Sequence, residues 1–225
     1  MDWQALWLSG KLALVTVLIL LPLSILAARM LAYRQFRGKS LIEALIMVPL
    51  VLPPTVVGYY LLVSFGSQSV LGVWLRDTFG IELVFHFSGL VLASVLVNIP
   101  FAIQPIQRAF EAIPMDVRDA AACCGMSRFN ILTRIELPMI WPGLVTALVL
   151  TFSHVLGEFG VVLMMGGNIS GETKTISIAI YDSVQAFDFD SAGAMSLILL
   201  LFAISALALT TSLSRRMGGS HGRGH

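Results

Sequence analysis

Few residues in this chain are equipped for chemistry, and those few stand in apolar surroundings. Glu158 follows His154-Val155-Leu156-Gly157 and precedes Phe159-Gly160 and the apolar run from Val161 to Met165. An acidic group inside a membrane span costs roughly 2.5–3.5 kcal/mol, so holding one there points to a function. His154 lies one helical turn earlier, on the same face. At the outer end of a span the same Glu158 would simply be solvated, and the sequence leaves both placements open. The segment Leu52-Pro53-Pro54-Thr55-Val56-Val57-Gly58-Tyr59 carries a second signal. Prolines in a span free backbone carbonyls, which need other partners or a water-filled cavity. Pro53, Pro54 and Thr55 therefore mark either a broken helix beside a pathway or a kink that only shapes packing. Asn98, with Pro100, interrupts another apolar run and is a further pathway candidate. No Gly-x-x-x-x-Gly-Lys-[Ser/Thr] phosphate loop, no His/Cys cluster with metal-ligand spacing and no nucleophile–base pair occurs. No catalytic residue, metal site or bound cofactor is expected in the chain itself.

The longest polar interruption in the inner part of the chain is Glu111 to Pro138, with Arg108, Arg118, Arg128 and Arg134 in it or at its edge. Pro114 suits the first turn of a helix, where its missing N–H costs nothing. Asp116 and Asp119 lie early, where the helix dipole favours anions. Gly125 fits the left-handed position that ends a helix. Ser127 can cap a second helix over roughly 128–135, and Pro138 opens the next apolar segment. The expectation is a helix–glycine–helix knuckle whose alanines, Ala120 to Ala122, let another backbone approach closely. Cys123 and Cys124 are adjacent, so a structural disulfide between them is implausible. They read as small helix fillers.

These features need elements to hold them, and composition says which. The chain is 57% hydrophobic and 12% charged, against about 25% charged residues in soluble domains. It reads as an all-α integral membrane protein, one domain over residues 1–217 with a glycine-rich, disordered tail over 218–225 in which His221 and His225 are incidental. Five spans are expected, at about 12–32, 44–65, 87–107, 138–165 and 191–214, with the knuckle at 111–137 between spans three and four. The fourth is apolar from Pro138 to about Gly157, and the run after Glu158 extends it. Residues 66–86 read as a polar connector, and 175–186 as a short amphipathic helix at the outer surface. Eleven of the 14 lysines and arginines fall on the side that holds the knuckle and the C-terminus, and Lys11, Arg76 and Lys174 fall on the other. The positive-inside rule then puts the N-terminus outside and the knuckle and C-terminus in the cytoplasm.

The order Asp119-Ala120-Ala121, three residues, Gly125, nine residues, Ile135, one residue, Leu137-Pro138 resembles the Glu-Ala-Ala loop of ABC importer permeases. Every spacing matches, and Asp119 for Glu is the one departure. Leu156-Gly157-Glu158-Phe159-Gly160 is similar to a segment shared by oxyanion permeases. Gly167-Asn168-Ile169-Ser170-Gly171-Glu172-Thr173-Lys174-Thr175-Ile176, with Ser170 where proline is usual, looks like the molybdate branch, as does Val48 to Tyr59. The resemblance spans nearly the whole chain. It implies that Asp119, Ala120, Ala121, Gly125, Ile135, Leu137 and Pro138 belong to a coupling loop docked in a groove on a cytoplasmic ATPase. It also implies a prokaryotic inner (plasma) membrane location and an ATP-driven molybdate importer. A permease for sulfate/thiosulfate or tungstate is the alternative. The implied partners are a second copy of the chain, two ATPase subunits that hold ATP and Mg, a periplasmic or extracellular substrate-binding protein, and membrane lipid, with no nucleic acid. Anion selection would rest mainly in the binding protein. Glu158 would not coordinate an anion directly, so gating or structural pairing suits it better. A membrane enzyme would need a catalytic constellation, and a lone secondary transporter internal repeats with paired intramembrane charges; neither is present.

Overall fold

The computed structural model describes residues 1–218, and every regular element among them is helical. The expected tail at 218–225, with its two histidines, lies almost wholly outside the described residues. The chain runs through α1 (Trp3–Tyr33), α2 (Lys39–Val51), α3 (Pro54–Phe65), α4 (Val70–Phe79) and α5 (Phe87–Glu111). Then come α6 (Met115–Cys123), α7 (Arg128–Ile131), a π-turn (Leu132–Glu136), α8 (Leu137–Gly157), α9 (Gly160–Gly166), α10 (Ile176–Gln185) and α11 (Phe189–Gly218).

Helices α1, α5 and α8 pack together as the centre of the molecule. Their shared core near the knuckle is Ala28, Leu31, Ile106, Phe110, Ile140 and Ala147, all buried. Gly143 permits this packing, because a Cβ there would stand 2.5 Å from the Ala109 Cβ and 2.8 Å from the Pro105 carbonyl oxygen. Helix α11 exposes Leu197, Leu200, Leu201, Ile204 and Leu207, a surface suited to lipid rather than water. Among the described residues four helices are long and apolar enough to cross a membrane, and the α2–α3 pair makes five if it counts as one span.

Several expected boundaries change. The helix that carries the first expected span begins at Trp3, ahead of residue 12, because the Asp2 carboxylate accepts the Ala5 N–H at 2.9 Å and caps the helix there. The 44–65 segment is not one straight span: α2 and α3 meet at a bend of 107°. Leu52 and Pro53 each precede a proline, which disfavours the helical region, and both are extended (ψ 140° and 135°). The 138–165 segment is also two helices, broken at Glu158-Phe159. The connector at 66–86 contains helix α4, started by the Ser69 hydroxyl accepting the Gly72 N–H at 2.9 Å and stopped by Gly80 at φ +65°.

The two ends of α1 separate two kinds of surface. At its start, the Ser9 hydroxyl accepts the Ile176 N–H at 2.8 Å, and Lys174 approaches Asp2 at 3.9 Å. At its finish, Arg29 meets Glu136 of the π-turn. The 31 residues of α1 set these ends about 45 Å apart at roughly 1.5 Å per residue.

At the first of these ends, burial pushes the Asp182 carboxyl up, but hydrogen bonds from Asn168 and Lys174 and the lysine charge outweigh it and hold it below its ordinary value. A carboxyl depressed by folding stabilises fully above its unfolded value of about 3.9 and loses that contribution as pH falls through the lower folded value. Amide-exchange protection across 168–175 should therefore stay flat from neutral pH to about 5 and drop below about 4.

Candidate functional site

The knuckle forms as its residues dictate, up to a point. Pro114 precedes α6, and Asp116 sits in its first turn. At the other end the Gly125 N–H donates to the Ala122 carbonyl at 2.9 Å and the Met126 N–H to the Ala121 carbonyl at 3.2 Å, with Gly125 at φ +76°. This pair of bonds is a Schellman termination. The Ser127 hydroxyl then accepts the Asn130 N–H at 3.2 Å and starts α7. The second helix does not end near Ile135. It runs through the π-turn into α8, giving one helix over Arg128–Gly157. Pro138 has no N–H for the Arg134 carbonyl, and the widened turn directly before it absorbs that gap.

Met115, Asp119, Ala122 and Cys123 share one exposed face of α6, spaced for a single helical stripe. Phe129, 70% exposed, stands on α7 after the turn. Ala120 is exposed and Ala121 faces inward. Ile135, Leu137 and Pro138 lie at the root of the knuckle, and Leu137 packs against the core of α1, α5 and α8.

Sequence reading missed what holds the knuckle in place. Glu136 has a fully buried side chain, and two arginines reach it from different directions. Arg29 of α1 donates through Nε at 2.5 Å and a terminal nitrogen at 3.3 Å, and Arg118 of α6 donates through Nε at 3.0 Å. The Arg118 guanidinium also lies over the Tyr33 ring, 3.4 Å from its centre, and the Tyr33 hydroxyl donates to the Phe110 carbonyl at 3.2 Å. One buried carboxylate thus ties α6, the end of α1 and the base of α8 together. Glu136 is 107 residues from Arg29, and nothing local in Ile135-Glu136-Leu137-Pro138 names that partner.

The two interrupted segments meet. A Cβ on Gly160 would stand 3.0 Å from the Pro54 Cβ and 3.3 Å from the Thr55 nitrogen. A Cβ on Gly58 would stand 2.7 Å from the Met164 Cβ and 3.1 Å from the Val161 Cα. The half-helices α3 and α9 therefore lie against each other along two glycines. Glu158, 5% exposed, sits in the break before α9, and its carboxylate accepts the Val161 N–H at 3.3 Å. His154 lies 3.8 Å from the same carboxylate and stacks on Phe101. Pro53, Pro54 and Thr55 are exposed, whereas Asn98 is fully buried in α5 and donates to the Ser94 carbonyl at 2.8 Å. Gly58→Val should force α3 and α9 apart. Overpacking of this kind costs roughly 1–3 kcal/mol, so the detergent-solubilised protein should unfold at lower temperature in a melting experiment.

With this geometry, the chain can be set beside known proteins. Residues 20–219 match the family described as the binding-protein-dependent transport system inner membrane component. The chain is 38% identical over 211 residues to the molybdenum transport system permease protein ModB of Escherichia coli (strain K12), covering 94% of this chain and 92% of that protein. It is 31% identical over 194 residues to the sulfate transport system permease protein CysT of the same organism, covering 86% and 70%. In fold it is similar to a bacterial alginate ABC transporter solved in complex with an alginate pentasaccharide-bound periplasmic protein, with a TM-score of 0.75, 21% identity, and coverage of 95% of this chain and 78% of that one.

Proposed function

Because this chain belongs to the binding-protein-dependent transport system inner membrane components, we propose that it is the membrane subunit of an ABC importer. It provides the path for molybdate, and a partner subunit supplies ATP hydrolysis. The observation that carries the coupling part is the knuckle: a capped helix with an exposed stripe, fixed by a buried carboxylate to two core helices. The molybdate assignment draws on the higher identity and coverage with the molybdenum permease than with the sulfate permease.

The knuckle faces the cytoplasm, where most of the arginines lie. Two copies of the chain enclose the passage on a two-fold axis, since so few spans do not surround a wide path alone. ATP and Mg belong to the ATPase, and a binding protein delivers the anion at the opposite face. When the ATPase pair closes, it draws the two knuckles together. Arg118 and Arg29 hand that movement through Glu136 to α1 and α8. At the far end of α8, Glu158 caps α9 through the Val161 N–H, and the close contacts at Gly58 and Gly160 seat α9 against α3, so these two short helices move as one piece beside the path.

The native cysteines test the docking directly. Cys123 and Cys124 are free and exposed on the knuckle. A short bifunctional thiol reagent should cross-link the chain to an ATPase carrying a cysteine on the rim of its docking groove. Cys123→Ala combined with Cys124→Ala should abolish the product. Efficient cross-linking of the cysteine-free variant, or none with the native chain in an assembled complex, would remove the docking assignment.

A further inference from the structure

Between the last turns of α1 and the knuckle lies an open cleft of about 520 Å³. Arg29, Arg34, Arg118 and Arg128 line it, and Asp119 and Ala122, which the cleft shares with the α6 stripe, stand on its wall, while Met115 and Cys123 of that stripe lie outside it. Glu136 neutralises one charge from behind Arg29 and Arg118. Four guanidinium groups against two carboxylates leave the cleft two positive charges in excess. Arg34 and Arg128 are exposed, and among the described residues neither side chain makes an ion pair. Arg118 spends its Nε on Glu136, which leaves its terminal N–H groups for another acceptor.

The remaining wall is apolar. Leu26 and Met30 line the cleft and are exposed, and Leu23 extends the same stripe of α1 towards the middle of the span. A ligand that satisfies both parts is anionic at one end and hydrocarbon at the other, and it lies where α1 leaves the bilayer. A free oxyanion has no use for the leucine stripe, and an acidic protein surface would leave it in lipid or water. We propose that the cleft binds one anionic phospholipid, its phosphate held by Arg34, Arg128 and the spare N–H groups of Arg118, and an acyl chain laid along Met30, Leu26 and Leu23. Guanidinium forks match phosphate oxygens in this way, and basic pockets beside membrane helices on the cytoplasmic side suit anionic headgroups. The lipid would then brace the same three elements that Glu136 ties together. The inference does not depend on which anion the chain transports.

The test uses the assembled transporter in nanodiscs of phosphatidylcholine containing graded phosphatidylglycerol, with retained lipid counted by native mass spectrometry. The native protein should retain phosphatidylglycerol in preference to phosphatidylcholine. Arg34→Gln should weaken that preference about fivefold, and adding Arg128→Gln should weaken it by about as much again. Arg34→Lys, which keeps the charge, should retain most of the preference, and Leu26→Gln should weaken it without changing charge. Inorganic phosphate at tens of millimolar should leave the bound lipid in place. Equal retention of the two lipids, or a preference indifferent to loss of both arginines, would overturn the proposal. Displacement of the lipid by inorganic phosphate would reassign the cleft to a free anion and overturn it as well.

Discussion

Glu136→Gln should destabilise the chain by about 3 kcal/mol and reduce transport further than that loss alone explains. Removing one partner of a buried ion pair costs roughly 3–5 kcal/mol, because the other charge is left without compensation. The lower end applies here, since the Arg29 and Arg118 side chains are 24% and 27% exposed and can recover some hydration. At this chain length each kcal/mol corresponds to roughly 2–4 °C in melting temperature. A thermal melt of the solubilised complex reads the first effect. The second is the ratio of anion carried to ATP hydrolysed, which should fall because α6 is no longer held to α1 and α8. Arg118→Gln should act in the same direction, with an added loss from its stacking on Tyr33. The double variant should cost less than the sum of the two, since both remove the same contact. Additive losses would mean that the two residues act separately, and the proposed linkage through Glu136 would fail.

The second large effect is expected at Gly125. Its φ of +76° lies in the left-handed region, yet a Cβ there would meet nothing within 4 Å. The cost of a side chain is therefore conformational rather than steric, roughly 1–2 kcal/mol for an ordinary L-residue and more for a β-branched one. Gly125→Val should open the Schellman turn and rotate the exposed stripe of α6 away from its partner. Uptake should drop at least tenfold while the chain still reaches the membrane in normal amount. Gly125→Asn should preserve much of the activity, because asparagine tolerates this conformation. Normal uptake and assembly in Gly125→Val would count against the knuckle as a docking element.

The local features of this protein were legible in the sequence and the long-range ones were not. Gly125 and Ser127 act within a few residues of themselves, so their spacing foretold the turn and the start of the second helix, whereas Pro114 stands just before α6 rather than in its first turn. Pro53-Pro54 marked the position for the same reason, because proline restricts the residue before it, but left a break and a kink as alternatives. The Ser69 cap and the Gly80 stop of α4 are equally local signals, but the polar composition of 66–86 reads as a connector. Glu136 is different. Its burial follows from packing among α1, α5 and α8, and its partners come from 18 and 107 residues away. The meeting of Gly160 with Pro54 and of Gly58 with Val161 is likewise a property of the folded chain. The π-turn had a sequence cause in Pro138, but proline at a helix start and proline after a widened turn look alike until the backbone is seen.

Central to the proposed mechanism is a chain that carries molybdate when an ATPase pulls on its knuckle. Uptake of labelled molybdate into proteoliposomes that hold the permease, its ATPase and its binding protein tests this most directly, with ATP inside and excess sulfate or tungstate outside. The expected result is ATP-dependent uptake that tungstate suppresses, sulfate leaves unchanged, and Gly125→Val lowers at least tenfold. Strong competition by sulfate, or uptake that proceeds without ATP, would contradict it.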